Sequence, residues 1–194
     1  MRLQRAEAHR KMTWANGLGS TDEVLAFPRS DGWTWRLSIA DVTVDGPFSL
    51  LPGVDRCLAV ASGNGMTLHI GATAHVLARF DSVTFSGDCE AHAELVDGPV
   101  RDLNVMVRRG YGHGMPSLHV ERFNEGAEFG LDDGVAIIVL DGSVTAHALP
   151  GAPATRYDAF IADLARVDDN SPAFHALTGA TVALVRLLPS KDLP

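Results

Sequence analysis

Residues 33–40 alternate in character. Trp33, Trp35, Leu37 and Ile39 fall on one side of an extended chain, and Thr34, Arg36, Ser38 and Ala40 on the other. Successive side chains of a strand point to opposite faces, so this period predicts a strand with one apolar and one partly polar face. From Ala40 to Val44 the apolar parity flips, which predicts a bulge or a passage from one sheet to another. Asp45-Gly46-Pro47 and Pro52-Gly53 then predict two turns, with Phe48, Leu50 and Leu51 anchoring the loop between them. Residues 101–109 repeat the alternation: Leu103, Val105 and Val107 share one face, and Asp102, Asn104, Met106 and Arg108 the other. If both striped strands face one barrel interior, Arg36, Ser38, Asp102, Asn104 and Arg108 converge on a polar pocket. If they face outward, the same residues are solvated surface.

Elsewhere the chain runs in short apolar segments broken by Gly, Asp, Asn and Pro every eight to twelve residues, the pattern of a sandwich or barrel. One amphipathic helix is suggested at residues 156–167, where Phe160, Ile161, Leu164 and Val167 fall at helical spacing. The run 135–140 is apolar on both faces, as a strand covered on both sides would be.

Internal repetition sharpens this picture. Ser62-Gly63-Asn64-Gly65 and Asp141-Gly142-Ser143 each sit at the tip of a strand–turn–strand unit, their glycines 79 residues apart, and His69 and His147 are 78 apart. Arg79-Phe80-Asp81 answers Arg156-Tyr157-Asp158 at an offset of 77, which competes with the helix there. Residues 105–108 answer 183–186 at 78. A unit of this size buries little core alone, so two such units are expected to pack together. The expected architecture is all-β, two tandem β-barrels spanning residues 1–110 and 111–194.

The chain has 194 residues and a formal net charge of −8, which argues against nucleic acid or an anionic membrane as partner. Its basic first dozen residues carry no apolar run, so no signal peptide is read there, and no stretch approaches the length of a membrane helix. With two cysteines, Cys57 and Cys89, expected to be reduced, the expected location is the cytoplasm.

Candidate chemistry is sparse. Trp14-Ala15-Asn16-Gly17-Leu18-Gly19 resembles a phosphate loop superficially but lacks the preceding strand and the Lys of a Walker loop. The eight histidines show no paired spacing on one element, so no metal and no cofactor is expected. There is no Gly-x-Ser-x-Gly elbow, and Asp88 reads as turn chemistry first.

Several blocks together resemble a known family. Trp14-x-Asn16-Gly17-x-Gly19 is followed by Arg36-Leu37-Ser38-Ile39-Ala40, Gly46-Pro47-Phe48-Ser49 and Pro52-Gly53-x-Asp55-Arg56. Then come Phe85-x-Gly87-Asp88, Asp97-Gly98-Pro99, residues 102–106 and Arg108-Arg109. Their order and spacing over roughly residues 12–110 resemble the HutD/Ves family. The resemblance implies a bicupin without the His-rich metal motif, found in bacterial histidine-utilisation operons. It also implies a regulatory protein binding a pathway intermediate such as N-formylglutamate, with no catalytic residues to carry over. Ala15 and Leu18 stand where the family pattern usually has Lys and Gly.

The expectation is therefore a metal-free small-molecule-binding protein, with a small anionic metabolite as partner and a homodimer allowed. The alternatives are an isomerase or hydrolase using the same pocket and a scaffold whose pocket is vestigial. The candidate ligand-binding residues are Trp14, Asn16, Arg36, Ser38, Asp102, Asn104 and Arg108. An Arg inside a barrel needs a partner, which for Arg36 is Asp102 at rest or the carboxylate of a ligand.

Overall fold

A computed structural model describes residues 1–14, 19–28, 32–162 and 173–187. The chain opens with β1 (Arg2–Gln4), a 3-10 turn at Ala6–Ala8, β2 (Arg10–Thr13), β3 (Gly19–Phe27), β4 (Trp35–Val42), β5 (Gly46–Pro47) and β6 (Val54–Ser62). It continues through β7 (Met66–Ile70), β8 (Thr73–Leu77), β9 (Ser82–Ser86), β10 (Ala91–Leu95) and β11 (Val100–Arg108). The remainder holds β12 (Pro116–Phe123), β13 (Glu128–Gly130), β14 (Ala136–Asp141), β15 (Val144–Ala146), β16 (Leu149–Ala154), β17 (Ala159–Ile161), β18 (Ala173–Ala176) and β19 (Ala180–Leu187). No α-helix occurs among the described residues. None of their helices is long and apolar enough to cross a membrane.

One compact unit is built from Arg10–Leu118 and the other from Met1–His9 with His119–Arg186. The partition read from the sequence, 1–110 and 111–194, differs in the first nine residues, which belong with the second unit, and in residues 111–118, which belong with the first. In the Arg10–Leu118 unit, a six-stranded sheet of order β2-β3-β4-β11-β6-β9 accompanies a four-stranded sheet β5-β10-β7-β8. Val42, Leu58, Val60 and Phe85 from the first sheet pack with Met66, Leu68, Leu77, Ala91 and Ala93 from the second in one buried cluster. In the other unit, the sheets run β1-β17-β14-β19-β12 and β13-β18-β15-β16, and Ile137, Val139, Phe160, Val182 and Leu184 pack with Val144, Ala154 and Phe174. The expected closed barrels are not formed: each unit is a pair of open sheets around an apolar filling, because the strands at the margins lack partners that would complete a ring.

The duplication is visible in the strand order itself. The run β4-β11-β6-β9 matches β12-β19-β14-β17, and β5-β10-β7-β8 matches β13-β18-β15-β16. Details recur too. Val60 N–H donates to Asp81 O and Phe80 N–H to Val60 O, as Val139 N–H does to Asp158 O and Tyr157 N–H to Val139 O. Phe80 and Tyr157 both take positive φ, 80° and 70°. Each half also carries a register shift at the matching place, which leaves out Ala61 opposite Arg101/Asp102 and Leu140 opposite Thr181/Val182. Aligning these shifts sets Val105 against Val185, an offset of 80. The sequence match of 105–108 with 183–186 is therefore two residues out on this strand, although the faces are unchanged by an even slip.

Two local expectations change. Residues 156–161 form a turn and β17 instead of a helix, because Tyr157 turns the chain at positive φ and Phe160 is buried in the strand; residues 163–167 lie outside the described residues. The parity flip at 40–44 is not a bulge on β4, which pairs with β11 without a shift from Trp35 to Val42. The irregularity lies on the neighbouring strand, between Glu23 and Leu25 of β3.

Candidate functional site

β4, β11 and β6 lie side by side, and their registers place residues in rows on one face. Met106 is paired with Arg36 and Arg56, Asn104 with Ser38 and Leu58, and Asp102 with Ala40 and Val60. Adjacent strands are about 4.8 Å apart, so the Cα atoms of Arg36 and Arg56 stand roughly 10 Å apart across Met106. Val42, Leu58 and Val60 share this parity and belong to the buried cluster between the two sheets, so the polar stripes face inward. The odd-numbered face of β4 (Trp35, Leu37 and Ile39) is buried as well. That explains why its apolar parity reads as changing: both faces are covered, and the even one is polar only where it borders a cavity.

That cavity has a volume of about 480 Å³. Arg36, Ser38, Arg56, Asn104 and Met106 form its wall, Phe48 and Ser49 close one side, and Trp14, Thr21 and Trp33 border it. Trp14 is fixed by hydrogen bonds from its indole Nε1 to Thr21 Oγ1 (2.8 Å) and from its N–H to Gly19 O (3.0 Å). Gly19 must be glycine for a reason unconnected with phosphate: a Cβ there would press on Asp41 O and come within 2.9 Å of the Trp14 ring.

Arg56 is the residue the sequence reading missed. It is 3 % exposed, and its guanidinium carbon lies 5.3 Å from the Phe48 ring centre and 5.0 Å from that of Phe85. Its Nη2 donates to Asn104 Oδ1 (2.9 Å), its Nη1 reaches Ser49 O at 3.4 Å, and its Nε has no partner. Asn104 Nδ2 in turn donates to Asp102 Oδ1, leaving Oδ2 buried without a partner. Asp102 is fully buried, and burial pushes its carboxyl up to about 7 against the opposing pull of the Arg56 charge. Burial likewise lowers Arg36 and Arg56 from the ordinary arginine value, opposed by Glu23 and Asp102 respectively. Both stay cationic at neutral pH, since a guanidinium is not deprotonated in proteins.

The sequence-predicted residues fall into three groups. Trp14, Arg36, Ser38 and Asn104 line the cavity. Asp102 sits behind it, and its connection runs through Asn104 to Arg56. The partner of Arg36 is not Asp102 but Glu23, whose Oε2 is 3.3 Å from Arg36 Nε; Arg36 lies two rows along the sheet from Asp102, whereas β3 sets Glu23 beside it. Arg108 does not line the cavity; its guanidinium covers the ring of Trp33 at 4.7 Å. Asn16 lies outside the described residues.

Other polar clusters are committed to structure. Arg109 clasps Asp55 (2.7 Å) and Asp88, and Asp88 accepts from Gly53 N–H (2.8 Å), which ties the end of β11 to the loop before β6. A shallower recess of about 360 Å³ holds Arg101, already paired with Asp41 and Asp22. Among the described residues, no three His, Cys, Asp or Glu side chains converge as metal ligands would. Among the described residues, the second unit shows no counterpart of Asp102 and Asn104 in that wall. With the register shifts aligned, Asp102 and Asn104 correspond to Val182 and Leu184, and Phe129 stacks on Phe123 (4.0 Å) and on Phe174 (5.5 Å) within that core.

Comparison with known proteins supplies the context. The HutD family model matches residues 6–184. An uncharacterized 21.2 kDa protein of the hutC 3′ region of Pseudomonas putida is 38% identical over 109 residues, covering 55% of this chain and 57% of that one. Protein Ves of Cronobacter sakazakii is 41% identical over 98 residues, covering 50% and 54%. The matched segments thus span about half the length of these relatives. A conserved protein of unknown function from Pseudomonas aeruginosa PAO1 superposes with a TM-score of 0.80 at 27% identity, over 95% of this chain and 97% of that one. HutD from Pseudomonas fluorescens SBW25 gives 0.75 at 23% identity, over 96% and 98%, and shares the fold. A cupin 2 conserved barrel domain protein from Leptotrichia buccalis gives 0.54 at 11% identity, over 87% and 88%, so the β architecture is cupin-like. The match along nearly the whole length, together with the blocks that surround the cavity, makes this chain a member of the HutD family.

Proposed function

We propose that this protein is a metal-independent bicupin-type binding protein that holds a small carboxylate in the cavity of its first unit. The observation that carries the reading is the pair of arginines, Arg36 and Arg56, set on either side of Met106 in one cavity. Arg56 Nε is buried without a partner, while Arg36 Nε faces Glu23 Oε2 at 3.3 Å without forming a hydrogen bond. Guanidinium groups grip carboxylates through paired N–H donors, and a desolvated one gains most from doing so. In a chain of net charge −8, such a local positive wall is what allows an anion to approach. Ser38 and Asn104 would hold a second polar group of the ligand, and Trp14 and Trp33 would cover it. The name of the relative from the hutC 3′ region supports testing histidine utilisation first; the ligand proposed is N-formylglutamate, and the role an accessory or regulatory one.

A thermal-shift panel of histidine, urocanate, N-formylglutamate and glutamate tests this. A true ligand at a hundredfold its dissociation constant stabilises by about 2.7 kcal/mol, a rise of roughly 5–10 °C for a chain this size. One panel member is expected to give that rise in the wild type and to lose most of it with Arg36→Ala. A rise that survives Arg36→Ala unchanged refutes the assignment. NMR of the same mixtures separates binding from turnover: a binder leaves the compound intact, and depletion of the compound would establish the enzyme reading in its place.

A further inference from the structure

The charges around the cavity are largely committed to one another. Glu23 stands beside Arg36 and across the ladder from Arg10, and Asp102 behind Asn104 faces Arg56 through that amide. An anion entering this space brings negative charge close to a buried carboxylate, and repulsion between two such charges is costly where water is scarce. Glu23 can be displaced only by breaking its contact with Arg36. Asp102 has a second way out, because a buried carboxylate can take a proton.

We propose that the site binds an anion and a proton together. An incoming carboxylate settles between Arg36 and Arg56 while Asp102 takes a proton from solvent at Oδ2 and becomes neutral. This inference rests on the anion-binding reading above and specifies how that site is regulated.

The geometry supplies the coupling. Asp102 acts on Arg56 through one residue, Asn104, whose amide accepts from Arg56 Nη2 at 2.9 Å and donates to Asp102 Oδ1. Oδ2 is buried and without a hydrogen-bond partner, and burial outweighs the Arg56 charge and the Ala40 and Asn104 hydrogen bonds that favour the ionised carboxylate. The groups that bear on Asp102 are few. They are Arg56 from β6, the Ala40 backbone of β4 and the Asn104 amide, which favour the charged form, and Asp41 on the other face of β4, which opposes it; Arg36 and Glu23 are paired with each other two rows away. Asp41 is held by Arg101 and sits low in pKa chiefly because of that hydrogen bond. The four-stranded sheet turns Leu68, Ala91 and Ala93 inward, and half-buried His75 of β8, the partner of Leu68, is the titratable group on that face. Burial puts the Asp102 carboxyl at about 7, where it can gain or lose its proton under ordinary conditions. Asp102 does not line the cavity; it is a positioning residue that sets the charge felt at Arg56.

Glutarate is a suitable probe, since it is fully ionised from pH 6.5 to 8.5 and contributes no proton of its own. Calorimetric titration in buffers of different ionisation enthalpy counts the protons exchanged. Close to one proton is expected to be taken up per glutarate at pH 8.5, and binding is expected to be roughly 20-fold tighter at pH 6.5 than at pH 8.5. Asp102→Asn should bind with one affinity across the window and exchange no proton, whereas Glu23→Gln should keep the proton uptake. The Asp102 carboxyl can also be followed directly by carbon NMR in the wild type, and its pKa should rise on saturation with glutarate. Binding without proton uptake, or a carboxyl that stays ionised down to pH 5 in the free protein, overturns the coupling and leaves the anion site standing. If glutarate binds at neither pH while another anion of the panel does, the same measurements with that anion decide the matter. If no anion binds at all, the binding reading fails, and the coupling with it.

Discussion

Arg56 occupies a position that apolar periodicity assigns to the core. Val54, Arg56, Leu58 and Val60 share one face of β6, and a lone arginine in such a series is the signal that marks the cavity from the sequence. It is easily overlooked because the strand does not alternate: Cys57, Ala59 and Ala61 on the other face are buried too. Asp102 differs in that its stripe was legible but its role was not, since nothing in one sequence tells which arginine a buried carboxylate will serve. Its titration has a consequence for stability. The folded-state pKa is raised from the usual carboxylate value to about 7, so the folded protein keeps a proton that the unfolded chain has lost. Stability from this group is therefore greatest below about pH 4 and falls as pH rises toward 7, by an amount on the order of 4 kcal/mol if the full shift is realised. Asp102→Asn removes that slope. Denaturant midpoints at pH 5 and pH 8 should show the variant gaining on the wild type at the higher pH; an identical pH dependence in both would mean that Asp102 is ionised throughout.

At the scale of elements, the alternation of β4 and β11 and the repeat between the halves were legible because both follow from backbone periodicity. The inward direction of the polar stripes was not, since alternation fixes opposition of faces but not which face is covered. The parity flip at Ala40 marks no bulge on β4, for a related reason: a covered strand with a polar patch and a bulged strand look alike in one dimension. The repeat was most reliable where a turn dictates residue type. Gly63 and Gly142 both take positive φ, 97° and 76°, and both press on the strand that returns beside them. A Cβ on Gly63 would lie 2.6 Å from Pro99 O and 2.9 Å from Val100 Cα, and one on Gly142 would meet Gly179 O and come within 2.9 Å of Ala180 Cα. Alanine at either site is expected to cost more than about 2 kcal/mol, because the strained φ is joined by a clash with backbone that cannot move cheaply. Gly71, at φ 54° with open space around it, isolates the conformational part, and Gly71→Ala should cost about 1 kcal/mol. Chemical denaturation of the three variants measures the difference, and equal losses at all three would remove the packing argument.

Over the whole molecule, duplication has produced two sandwiches of one topology with different work to do. The first keeps a polar cavity where the second has Val182, Leu184 and stacked phenylalanines. The second has taken in the N-terminal segment, as β1 pairs with the edge strand β17. The two matching turns show how this changes what a residue supports. Asp81 caps its turn by accepting from Ala78 N–H (3.0 Å), and that bond is exposed. Asp158 accepts the equivalent bond from Thr155 N–H (3.0 Å) and also bonds from Ala6 N–H (2.7 Å) and Arg5 Nη1 (2.8 Å), and it is buried. Removing it leaves two backbone donors and one guanidinium without their acceptor, each loss costing on the order of 1–3 kcal/mol where water cannot replace it. Asp158→Ala is therefore expected to destabilise by roughly 3–5 kcal/mol, and Asp81→Ala by less than about 1 kcal/mol. A chain starting at Arg10 loses β1 and Arg5 together and should approach the Asp158→Ala loss, while Asp158→Ala adds little in that shortened chain. Equal losses from the two aspartates, or full additivity between Asp158→Ala and the truncation, would show that the N-terminal segment is not held by this turn.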